Sequence, residues 1–148
     1  MGSSKWTWIA TTVCALAALL APFEYSYFYD DLVMVTVFTL RSLMWRYVSY
    51  SSAGFIIDPF GLWINPFHAF FRFWFVYEVY RVYSMDKPRV RAVIVGIISE
   101  FWWVVVMTSS SPFITILPVP ILLLVGLVLL GLRRPLRVSG AWVDEPVS

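Results

Sequence analysis

The sequence predicts an all-α fold, a polytopic membrane helix bundle of about five transmembrane helices, and three observations predict it. Of 148 residues, 60% are hydrophobic and only 14% charged, with a mean hydropathy of +0.77, too few charges to cover a water-exposed domain. The polar residues gather in a few stretches, "EYSYFYDD", "MDKPRVR", "SSSP" and "RRPLRVSGAWVDEPVS". Between them lie apolar segments close to the ~20 residues that cross a hydrocarbon layer of ~30 Å.

The first helix is expected over about residues 6–23, with Ser3 or Ser4 before it and Pro22 near its end. Ala10, Cys14 and Ala18 recur every fourth residue, a spacing that lets helix backbones approach closely in lipid. Read instead as a signal peptide, the segment has one basic residue before it and only a weak small-residue cleavage signal at Ala18 and Ala21. The second helix is expected over about residues 32–49, behind Asp30 and Asp31, whose carboxylates suit the free amides of a first turn. If that segment is re-entrant or interfacial, four spans remain.

Two further start signals follow, Asp58-Pro59 and Asn65-Pro66. A proline after an aspartate or asparagine fits a helix entry, and the same pairs also suit a re-entrant half-helix. The third helix is expected over about 66–84 and the fourth over about 88–108, with Asp86 as its cap. The fifth, about 113–132, is broken by Pro118 and Pro120. Residues 133–148 are then a short cytoplasmic tail, and the whole chain is one transmembrane domain.

The basic stretches "KPRVR" and "RRPLR" are two spans apart and so share a side, which the distribution of positive charge makes cytoplasmic. The N-terminus is then outside and the C-terminus inside. That placement of the basic residues points away from nucleic acid as a partner and toward the lipid bilayer, further copies of the chain, or other membrane subunits.

At about 1.5 Å per residue, Arg41, Glu78 and Glu100 fall near the middle of their predicted helices. A charge at that depth costs about 2.5 to 3.5 kcal/mol. The expected relief is a midplane cluster in which the planar fork of Arg41 holds Glu78 or Glu100, with Arg81, three residues beyond Glu78, as a competing partner. His68 and Arg72, four apart, form a second polar stripe. Tyr77, Tyr80 and Tyr83 suit an aromatic belt at headgroup level.

His68 is the only histidine and Cys14 the only cysteine, so neither a two-histidine haem site nor a thiolate zinc site can be assembled from one chain. No metal, cofactor or catalytic set is expected. The functional expectation is a structural or accessory subunit of a membrane assembly. The alternatives are a small oligomeric transporter or ion pathway using the buried Glu and Arg residues, and a lipid-modifying membrane enzyme.

Overall fold

A computed structural model describes residues 3–30, 35–49, 54–59, 63, 66–108 and 115–132. It is a mixed α/β fold. Helix α1 (Ser3–Leu20) leads into strands β1 (Glu24–Asp30), β2 (Val35–Arg41), β3 (Trp45–Ser49) and β4 (Gly54–Ile57). Helices α2 (Pro66–Ser84) and α3 (Arg89–Thr108), strand β5 (Thr115–Pro118) and helix α4 (Ile121–Leu132) follow. The strands form one antiparallel sheet in the order β4-β3-β2-β1-β5.

This corrects the all-α prediction in both its five-span and its four-span form. The segment expected as the second helix, 32–49, contains β2 and β3. Its residues explain why: "VTVFTLR" and "WRYVS" are β-branched and aromatic, stiff or bulky next to the backbone, and they fit a pleated surface better than a helical turn. Glu24 and Val37 are buried on one face, while Tyr27, Tyr29, Phe55 and Ile57 are exposed on the other. Neighbouring rings touch along that outer face, Tyr25 with Phe38 at 6.1 Å, Phe38 with Tyr47 at 6.0 Å, and Trp45 stacked on Phe55 at 5.2 Å.

The expected fifth helix divides in a comparable way. Residues before Pro118 pair with β1 as β5, and only Ile121–Leu132 is helical. Among the described residues no helix is long and apolar enough to cross a membrane. Helix α4 carries no charge but spans about 18 Å of a ~30 Å layer. Helices α1, α2 and α3 carry Lys5, the set His68, Arg72, Glu78 and Arg81, and the set Arg89, Arg91 and Glu100. The two-sided topology with the N-terminus outside, the midplane depths and the three functions built on a spanning bundle are corrected with it. The residues 133–148, expected as a tail, lie outside the described residues, as does Asn65.

The four helices close into a ring in which α1 packs on α2 and α4, and α3 packs on α2 and α4. Thr7 Oγ1 donates to the Tyr83 carbonyl at 3.5 Å, and the Tyr83 hydroxyl donates to the Leu129 carbonyl. The start of α1 and the ends of α2 and α4 therefore share one end of the bundle. The turn between α2 and α3 lies at that end too and contains Asp86 at φ 52°, a left-handed position that Asp tolerates better than most side chains. The sheet joins the opposite end. There the Phe23 amide donates to the Arg41 carbonyl at 2.9 Å, Val119 to the Phe23 carbonyl at 3.1 Å, and Trp45 Nε1 to the Leu20 carbonyl at 2.8 Å. Phe23, Leu43 and Ala69 pack together at this joint.

The main core cluster draws Cys14 and Ala18 from α1, Phe75, Val76 and Val79 from α2, Val95 from α3 and Leu122 from α4. Phe75 is fully buried, and two glycines make room for its ring. A Cβ at Gly96 would come within 2.8 Å of the ring, and one at Gly126 would fall inside its contact distance. Gly126→Ala is therefore expected to lower stability by about 1 to 3 kcal/mol through overpacking. Gly131→Ala, with nothing within 4 Å of the new methyl, should be neutral or stabilising by helix propensity. Denaturant unfolding of the two variants checks this, and equal midpoints would contradict the packing around Phe75.

Candidate functional site

Helix α2 is patterned in reverse of a water-facing helix. Its buried residues include His68, Arg72 and Glu78 at helical spacing, alongside Ala69, Phe75, Val76, Val79 and Val82. Its exposed ones include Phe67, Phe70, Phe73 and Tyr77. Two ionic sites result.

The first lies near the sheet. Arg72 and Glu100 are both 0% exposed and face each other across the α2–α3 hairpin, with Arg72 Nη2 3.8 Å from Glu100 Oε1. Nη2 also donates to the Ala17 carbonyl of α1 at 3.3 Å, and the guanidinium carbon sits 5.5 Å from the centre of the Phe23 ring. That ring is in turn 4.1 Å from the imidazole of His68, one turn before Arg72. Buried Ser99 donates to the Gly96 carbonyl of its own helix at 2.8 Å. Among the described residues Arg72 Nε and Nη1 and both Glu100 oxygens have no hydrogen-bond partner. The pair is thus held by charge at a distance too long for a hydrogen bond, with much of its desolvation uncompensated.

The second site is saturated. Glu78, 2% exposed, accepts from Arg81 Nη1 at 3.1 Å on both oxygens and from Trp74 Nε1 at 3.2 Å, and it pairs with Arg91 Nε at 3.0 Å.

Arg41 belongs to neither. It lies on β2, and its Nη1 is 3.7 Å from Glu24, its directly opposed partner on β1. The expected Arg41 cluster with Glu78 or Glu100 is corrected accordingly, because a strand places Arg41 at the sheet while both glutamates point into the helical bundle. Asp58 follows β4. Its amide donates to the Met44 carbonyl at 2.9 Å, and its carboxylate lies 4.0 Å from Arg46. Arg41 and Arg46 face each other across β2 and β3, and each has its own carboxylate to offset the repulsion.

The role of Arg72 as the partner of Glu100 was missed in the sequence because the second helix was expected to supply the cation. One signal was present: Arg72 and Glu100 lie equally far on either side of Asp86, and in an antiparallel helical hairpin residues equidistant from the turn come side by side. The parts played by Phe23 and Ala17 had no sequence signal, since a ring and a carbonyl become ligands for a guanidinium only through packing.

The environment sets what these groups can do. Burial pushes the Cys14 thiol up from 9.0 to about 12, against the opposing pull of Arg72, so it stays protonated and weakly nucleophilic. Burial and then Arg72 push His68 down from 6.5 to about 3, leaving a neutral imidazole. Burial pushes Glu100 up from 4.5 to about 7 although Arg72 opposes it, and burial lowers Arg72 even beside Glu100. Desolvation outweighs attraction on both sides of the pair, yet the guanidinium stays charged and the proton moves at Glu100. Among the described residues no group of His, Cys, Asp and Glu is placed to hold a metal ion.

The bundle's outer surface is apolar on every helix. Exposed side chains include Trp6, Ile9, Val13 and Leu16 on α1, Phe67, Phe70 and Phe73 on α2, Ile94, Ile97 and Phe101 on α3, and Leu124, Leu127 and Val128 on α4. Because the helices form a closed ring, these residues make a belt rather than one patch. No protein-family profile matches the chain, and no curated protein matches it in sequence.

The opposed shifts of His68 and Glu100 give a distinctive pH dependence. Between about pH 3 and 4.5 the unfolded chain holds a proton on His68 that the folded chain lacks, so stability rises with pH. From 4.5 to 6.5 the folded chain holds an extra proton on Glu100, and the two slopes cancel. From 6.5 to about 7 Glu100 acts alone and stability falls slightly. Glu100→Gln removes the cancelling proton. Relative to the parent chain, its stability should climb by about 1.4 kcal/mol per pH unit from 4.5 to 6.5. Denaturant unfolding across that window checks it, and parallel pH profiles for the two proteins would refute the assignment.

Proposed function

We propose that this chain is a lipid-associating protein whose helical bundle seats its apolar exterior against the acyl region of a lipid surface. One observation carries the reading: all four helices expose large apolar side chains while the bundle interior holds Arg72, Glu78, Glu100 and His68. In water this distribution is unfavourable twice over, once for the exposed apolar surface and once for the desolvated charges. Against acyl chains the first cost disappears, and inward-facing ionic groups are the arrangement that spares charges from lipid. Such contact requires an apolar face rather than a helix long enough to cross.

Flotation of the purified chain with neutral phosphatidylcholine vesicles tests this. The parent chain is expected to float. Leu124→Glu combined with Val128→Glu, one turn apart and 57% and 61% exposed, should reduce partitioning by about tenfold or more, because charges on that face must enter the lipid while costing a water-exposed surface little. A monodisperse monomer in detergent-free buffer that stays with the aqueous phase would overturn the proposal. A defined homo-oligomer that does the same would assign the belt to copies of the chain.

A further inference from the structure

Charge is distributed unevenly along the bundle. Lys5 at the start of α1, Arg81 near the end of α2, Lys87 in the turn, and Arg89 and Arg91 at the start of α3 lie at one end, against Glu78 and Asp86. Glu78 is enclosed by Arg81 and Arg91, so that triad is cationic, and Arg91 remains 57% exposed while it pairs. At the sheet end Arg41 and Arg46 are each matched by Glu24 and Asp58. The basic end also bears Trp6 and Trp8, each 66% exposed, which follow Lys5 on either side of Thr7. Indole rings beside a lysine, at the rim of an apolar belt, are the side chains that settle at the boundary between acyl chains and headgroups.

We infer that this end of the bundle, where α1 starts and α2 turns into α3, docks on anionic lipid headgroups. The inference rests on the lipid-association reading and deepens it. The belt supplies contact with any acyl surface, and Lys5, Lys87 and the Arg81–Glu78–Arg91 triad at its rim select a negatively charged one. The occupant is a lipid headgroup surface rather than a free anion, because the basic residues are spread across three helix termini and not converged on one point, and because the apolar rim adjoins them.

The test is flotation of the full chain with vesicles of phosphatidylcholine alone and of phosphatidylcholine with phosphatidylglycerol. At low salt the apparent affinity is expected to be on the order of tenfold higher for the anionic vesicles, with the difference largely lost at ~0.5 M salt. Lys5→Gln combined with Lys87→Gln, both on exposed side chains, should reduce that difference several-fold and leave binding to neutral vesicles unchanged. Binding to both vesicle types with equal affinity at low salt overturns this inference and leaves the lipid-association reading standing, whereas binding to neither overturns both. An anionic preference undiminished in the double variant also overturns it, since the two exposed lysines of this end then take no part in the charge contact. So does inorganic phosphate that releases the chain from anionic vesicles more effectively than chloride at equal ionic strength, which would mark a free-anion site.

Discussion

Arg72 is a fully buried guanidinium, and the junction of helices and sheet is arranged around it. Its neighbours come from four parts of the chain: the Ala17 carbonyl at the end of α1, the Phe23 ring between α1 and β1, His68 one turn away on α2, and Glu100 on α3. Phe23 connects that charge to the sheet, because its own backbone bonds to both Arg41 and Val119. Removing water from an arginine is expensive, and a charge so placed persists only where surrounding groups jointly compensate it. The compensation is incomplete, since two guanidinium nitrogens and both carboxylate oxygens have no hydrogen-bond partner among the described residues.

The two buried glutamates show how neighbours, rather than burial alone, set a carboxylate's behaviour. Glu78 has two arginines and an indole at 3.0 to 3.2 Å, so its charge is met by directed donors. Glu100 has one arginine at 3.8 Å and shifts toward its neutral form. Both lie in the same bundle and on the inward side of their helices. The first is held by directed donors near the basic end, and the second can exchange a proton near neutrality beside the sheet.

The same inward gathering of charge leaves the outside apolar. Phe75, seated between Gly96 and Gly126, lets the helices approach closely enough to enclose the ionic groups. The consequence is an exterior of aromatic and aliphatic residues on all four helices, and that exterior is what ties the fold to the proposed association with lipid. Charge left over from the interior accumulates where α1 begins and α2 turns into α3, which makes the two ends of the bundle chemically different.

How much of this was legible in the sequence depended on whether local chemistry decided the outcome. The start of α2 at Pro66 and the turn at Asp86 before α3 carry their own punctuation, and Arg81 three residues after Glu78 is a neighbour by helical geometry alone. Residues 35–49 were read wrongly because apolar content measures burial or lipid contact without distinguishing a helix from a strand, while the β-branched and aromatic character that did distinguish them was given less weight. The sequence by itself determined that this chain would carry more apolar surface than it could hide, and that a few ionisable residues would have to find partners within apolar segments. Only the tertiary structure decided which partners. A strand at 35–41 carries Arg41 to Glu24, and a helical hairpin brings Arg72 to Glu100. Such pairings depend on contacts between residues far apart in sequence, which no local propensity encodes.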